Sequence, residues 1–131
     1  MAKTAAPKRP DLEAYDQSIR LTLPDVVARL NEILSPKIVA YIAEVGETRA
    51  PKDWARGERT PKADIEARLR MALRIALFLV EHDSPGVVQA WFQGLNPQLN
   101  DEAPARLLRT QPAEDAGPPV LAAARAFVVG G

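Results

Sequence analysis

Several of the twelve prolines in this chain stand one or two residues after a hydroxyl side chain, among them the four in Thr22-Leu-Pro24, Ser35-Pro36, Thr60-Pro61 and Ser84-Pro85. A hydroxyl at the N-cap accepts a backbone N–H that the first helical turn leaves unpaired. A proline just inside the start lacks a donor that would have no partner anyway. So placed, proline opens a helix, and the chain reads as helices laid end to end. The apolar spacing after each proline agrees. Val26, Val27, Leu30, Ile33 and Leu34 form one stripe, and Ile38, Val39, Ile42 and Val45 form the next in a helix over 36–45.

The third start predicts the longest helix, from Pro61 to Glu81, with Ile65, Leu69, Ala72, Leu73, Ala76, Leu77 and Val80 at helical spacing. Phe78 and Leu79 widen its apolar face, so this helix is expected to be central and buried on more than one side. The fourth start predicts a helix from Pro85 to Gln93, stopped by Gly94 as a left-handed C-terminal glycine. A helical turn over Pro104–Arg109 and a last helix over Pro119–Val129 follow. The segment Thr110–Pro118 reads as a loop, and no stretch reads as a strand.

The expected fold class is therefore all-α, a compact multi-helix domain. Residues 1–20 read as a largely disordered basic and polar tail. Residues 21–62 form a helix-turn-helix-like region, and 63–131 hold the central helix and a C-terminal binding region.

Composition narrows the function. The 131 residues carry 47% apolar side chains, enough for a core, and a formal net charge of zero. Bulk electrostatics thus selects neither nucleic acid nor membrane. With no cysteine and one histidine, His82, no disulfide framework or Cys/His metal site is expected. The basic first residues lead into no apolar segment of the signal-peptide kind, so a cytoplasmic location is expected. Catalytic patterns are missing too: no Ser/His/Asp set, no glycine-rich phosphate loop, no HExxH. The chain is read as a non-enzyme without cofactor or metal.

Charge is unevenly distributed. Residues 49–74 hold eight basic against four acidic side chains, whereas residues 75–131 hold three arginines against six carboxylates. This predicts two surfaces with different partners. In "ETRAPKDWARGERTP", a helix from Arg49 to Arg56 follows a turn at Gly46, with Thr48 as candidate cap and Trp54 as anchor to the core. Arg49, Lys52 and Arg56 would lie on its outer side, and Arg59 and Lys62 would reach phosphates from the next loop. The plainer alternative is an exposed basic loop packed through Trp54.

The other informative stretch is "VVQAWFQGLNPQLNDEAPARLLR". Val88, Trp91 and Phe92 share a helical face, as core residues do. Asn96 is placed to bond backbone groups of a turn whose φ is fixed by Pro97, and Leu99, Leu107 and Leu108 return to the core.

Taken in order, Trp91-Phe92, Asn96-Pro97, Leu99, Pro104 and Leu107-Leu108 resemble the toxin-binding domain of Xre/MbcA/ParS-type antitoxins. Upstream, Trp54, Gly57 and Pro61 are similar to the exit from the degenerate Xre helix-turn-helix of the same family. The resemblance spans roughly 23–129. It implies a type II antitoxin that covers the active site of a cognate RES-domain toxin, an NAD⁺-consuming enzyme, and, as in some members, promoter DNA binding by the N-terminal half. It implies a homodimer or a hetero-oligomer with the toxin, and no membrane partner.

Carried over residue by residue, toxin contact falls on Asn96, Pro97, Leu99, Asn100, Pro104, Arg106, Arg109, Phe127, Val128 and Val129. Trp91, Phe92, Leu107 and Leu108 would support that surface. Promoter contact would fall on Arg49, Lys52, Arg56, Arg59 and Lys62. Two departures matter. Asn100 stands where the family commonly has glycine, and asparagine tolerates the left-handed backbone. Pro51 would shorten the DNA-reading helix to under two turns. The rival reading is a stand-alone helix-turn-helix transcription regulator whose C-terminal helices only dimerise it.

Overall fold

A computed structural model describes residues 9–130. Eight helices follow in order: α1 (Pro10–Arg20), α2 (Leu23–Leu34), α3 (Pro36–Ile42), α4 (Arg49–Ala55), α5 (Ala63–Val80), α6 (Pro85–Gln93), α7 (Pro104–Thr110) and α8 (Ala113–Gly130). A 3₁₀ turn, Pro97–Leu99, lies between α6 and α7. There is no strand among the described residues, only an isolated antiparallel bridge between Asn96 and Glu102. The all-α expectation holds.

Helix α5 is the axis of the fold, packed by α1, α2, α3, α6, α7 and α8. It earns that position from its sequence: Leu69, Ala72, Leu73, Ile75, Ala76 and Leu79 are all at or near zero exposure. Alanines on the buried face let neighbouring backbones approach, and the leucines fill the layers between. Trp54, Trp91 and Phe92 join the same core.

Two of the four hydroxyl–proline starts work as expected. Thr22 Oγ1 accepts from Asp25 N, and Ser84 Oγ from Val87 N, at 3.4 and 3.3 Å. Ser35 heads α3 without a side-chain cap and takes φ of 82° to join α2 to α3 directly. Thr60–Pro61 does not start α5, which begins at Ala63 after Lys62 in extended conformation. Helix α3 ends at Ile42, short of the expected 45, because Glu44 turns left-handed at φ 59°. That residue, not Gly46, makes the tight turn.

The tail reading is corrected for residues 10–20; residues 1–8 lie outside the described residues. Among its described side chains helix α1 buries only Ala14 and Ser18, too little apolar side chain to signal a packed helix. A polar device holds it instead. Arg70 Nη1 donates to the carbonyls of Ser18 and Leu21, at 3.0 and 2.8 Å, and its Nε to Glu66. A cation on the last carbonyls of a helix satisfies orphan acceptors and opposes the dipole.

The loop reading of Thr110–Pro118 is likewise corrected: α8 starts at Ala113 and runs through Pro118 and Pro119. These prolines cannot donate to the carbonyls of Glu114 and Asp115, so two rungs of the helix are missing. All four residues are exposed, and water can bond the freed carbonyls. On the other side Ala116, Gly117 and Val120 are buried against the core. A Cβ on Gly117 would lie 2.5 Å from Met71 Cε, so glycine sets how closely α8 meets α5.

Candidate partner-binding site

The corner between α6 and α7 is built by Asn96. Its Oδ1 accepts from Gln98 N and its carbonyl from Leu99 N and Asp101 N, all at 2.9 Å. Its own N–H donates to Glu102 O at 3.2 Å, closing the bridge. With Pro97 restricting φ, seven residues reverse the chain around one buried asparagine. Asn100 is left-handed at φ 56°, as its side chain permits, and Asp101 follows at 63°. Gly94 corrects the sequence reading. It is extended, at φ −83° and ψ 153°, and is not a left-handed cap. A Cβ there would meet the Ala90 carbonyl at 3.1 Å, so close approach explains the glycine.

Beneath this corner the rings interlock. Trp91 meets Phe92 edge-on, centroids 5.3 Å apart, and Phe127 of α8 at 6.3 Å. Such pairs add about 0.5–1.5 kcal/mol to area burial. Against this, Trp91 Nε1 is buried without an acceptor, which costs about 1–3 kcal/mol. Above them the α6 end, the corner and α8 enclose an open groove of about 500 Å³, floored by Trp91 and Phe127 and edged by Leu95 and Pro97.

The structure sorts the expected contact residues into two groups. Asn96, Leu99 and Pro104 are buried with Leu107 and Leu108, and shape the corner from within. Pro97, Asn100 and Arg106 are exposed, Arg106 pairing with Glu102 at 3.3 Å. Arg109 is committed to Tyr41: it stacks 4.6 Å over the ring and donates to the Tyr41 carbonyl at 2.6 Å. Phe127 and Val128 are half-buried against the core, whereas Val129 is 88% exposed. Sequence reasoning missed Leu95, which is 77% exposed at the groove edge. The signal was its place between a helix-ending glycine and the buried Asn96 that begins the turn.

The basic corner behaves differently. Helix α4 is seven residues, under two turns, with Pro51 and Trp54 buried. Thr48 precedes it without a capping bond. Asp53, only 7% exposed, lies at the centre of the arginines: Arg56 at 2.8 Å, Arg59 at 3.6 Å and Arg49 at 3.7 Å. Arg56 also bonds Glu58 at 2.7 Å; Glu58 and then Asp53 raise its already high pKa. Arg68, Arg70 and Arg74 turn inward, to the Ile42 carbonyl, to the end of α1 and to the Tyr15 ring. Of the eight basic residues in 49–74, only Lys52 and Lys62 lack such an internal partner among the described residues. The excess charge seen in the sequence is thus largely an internal tie.

No group of three or more metal-ligating side chains occurs among the described residues, and no described helix is long and apolar enough to cross a membrane.

No protein-family model and no curated protein matches the chain. Its fold is similar to a chain in the crystal structure of the M. tuberculosis MbcT–MbcA toxin–antitoxin complex, with a TM-score of 0.68 and 24% identity. The match covers 84% of this chain and 96% of that one. At that identity the likeness is one of fold.

Proposed function

We propose that this protein is an antitoxin that binds a RES-domain, NAD⁺-consuming toxin and covers its active site with the face made by the α6–α7 corner and the end of α8. The observation that carries the reading is the groove over Trp91 and Phe127, edged by Leu95 and closed on the α8 side by Ala126 and Gly130, in a fold like that of a chain from a toxin–antitoxin complex. Leu95 is 77% exposed on the groove edge, and Val129, 88% exposed, adds apolar surface at the end of α8. Interface anchors have this form: apolar side chains around a pocket with polar groups at its edge, here Asn96 and Gln98.

The reading needs no catalysis by this chain. Binding is stoichiometric, and inhibition follows from occlusion. The test is NAD⁺ loss catalysed by a purified RES-domain toxin, titrated with purified chain. Leu95→Asp with Val129→Asp is expected to weaken inhibition at least about 100-fold, since two buried anchors contribute 1–2 kcal/mol or more each. Helicity and stability should stay at the parent level because both side chains lie outside the core. Equal inhibition by the double variant removes this face from the mechanism.

Promoter DNA as a second ligand rests on the outer side of α4, where Arg49, Lys52 and Arg56 are exposed. The rival reading, a transcription regulator without toxin, rests on the same residues. Phosphate contacts make affinity fall steeply with salt. A salt-dependent shift of its own upstream DNA, with no effect on NAD⁺ loss, decides for the rival.

A further inference from the structure

Helices α5 and α8 start beside one another. With the end of α7 they wall an open pocket of about 500 Å³, lined by Asp64, Ala67 and Arg68 of α5 and by Ala113 and Glu114 of α8. Asp64 and Arg68 stand at i and i+4 on one face of α5, a spacing that suits an ion pair. Arg68 pairs with Glu44 instead, and no ion pair among the described residues holds Asp64 or Glu114. The Arg68 Nη1 donates to the Ile42 carbonyl and to Glu44, both at 3.1 Å. Its Nε is buried without an acceptor, in a residue only 8% exposed. One pocket thus holds unpaired groups of both signs.

We infer that this pocket binds a free α-amino acid with an apolar side chain, its carboxylate on the Arg68 guanidinium and its ammonium on Asp64 and Glu114. Helix dipoles account for carboxylates in a first turn. They do not account for a buried arginine with an unused donor, which protein interiors rarely leave. A carboxylate supplies the missing acceptor in a charge-assisted bond. The N–H groups of Ala113 and Glu114, ahead of the first bonds of α8, lie on the same wall and add donors. A plain anion suits the pocket less well, because it would meet two unpaired carboxylates. A plain cation would leave Arg68 Nε without its acceptor. The ligand therefore carries both charges, and carries them close together, since one helical turn, about 5–6 Å between Cβ atoms, separates Asp64 from Arg68. That spacing selects an α-amino acid over a longer zwitterion, and a polypeptide terminus brings one charge only. Ala67, Pro112 and Ala113 give the ligand side chain an apolar wall. Such a site is independent of the antitoxin reading.

The test uses the full chain with L-leucine as the probe. Isocaproate and isoamylamine are its analogues without the ammonium and without the carboxylate, and ε-aminocaproate holds the two charges further apart. The Arg68 Nε–H signal in heteronuclear NMR is expected to shift as L-leucine is added, with a dissociation constant of about 1 mM or below. Each of the other three compounds should bind at least about tenfold more weakly, the worth of one lost charge-assisted bond. Asp64 and Glu114 are exposed, so Asp64→Asn with Glu114→Gln leaves the fold in place. That double variant should bind L-leucine at least about tenfold more weakly, and isocaproate more tightly, than the parent does. No shift of the Arg68 signal up to about 10 mM L-leucine would overturn the proposal. Equal binding of L-leucine and isocaproate by the parent would mean a site for anions only, and equal binding of isoamylamine or ε-aminocaproate would remove the α-amino acid; each overturns it as well. So does an L-leucine affinity left unchanged in the double variant.

Discussion

Left-handed residues turn the chain at Glu44 before α4 and at Asn100–Asp101 before α7, and these two corners manage their side chains in opposite ways. At the first, a half-buried set of opposite charges is gathered inward on Asp53, and the surface is left with less charge than its sequence suggests. At the second, polar groups are consumed inside the turn by Asn96, and an apolar side chain is left outside at Leu95. A charged side chain reaches for the nearest opposite charge, often its own neighbour on the helix. An apolar side chain at a turn apex has no neighbour to reach, so its exposure says more about a partner than a run of arginines does.

The sharpest way to break this contrast is Phe92→Ala. Phe92 is fully buried under the second corner, and its removal is expected to cost about 3–5 kcal/mol in urea unfolding, independent of salt. Asp53→Ala tests the first corner. Its guanidinium partners are more than half exposed, so screening limits the loss to about 1–2 kcal/mol. That loss should shrink as salt rises toward about 1 M, because what remains is repulsion among three arginines. A salt-independent loss would mean that packing, not charge, holds the first corner. The same variant frees those arginines, and any DNA affinity of α4 should rise. The smallest effect is expected from Asn100→Gly. It relieves a left-handed asparagine at the cost of chain entropy, leaving stability within about 0.5 kcal/mol in thermal unfolding. A loss above about 1 kcal/mol would show that the asparagine side chain, rather than its backbone, serves the turn.

Much of this was legible from residue order. The Thr22 and Ser84 caps, the burial of Trp54, Trp91 and Phe92, the turn built by Asn96 and the left-handed Asn100 each rest on local chemistry, which acts over one to four residues. The failures share the opposite property. Helix α1 docks through Arg70, roughly fifty residues away in sequence. Helix α8 survives Pro118 and Pro119 because its buried side is held by α5. The expected basic surface was thinned by contacts that periodicity does not reveal.

By itself the sequence determined the helical class, most helix starts and the paired rings under the second corner. Capping bonds and 3.6-residue periodicity are complete within a few neighbouring residues. Tertiary structure alone decided which charges remain free, whether a proline pair ends a helix, and which apolar side chains are left facing outward. Those outcomes depend on what lies across the core, and a long-range partner can outweigh a local preference of one or two kcal/mol.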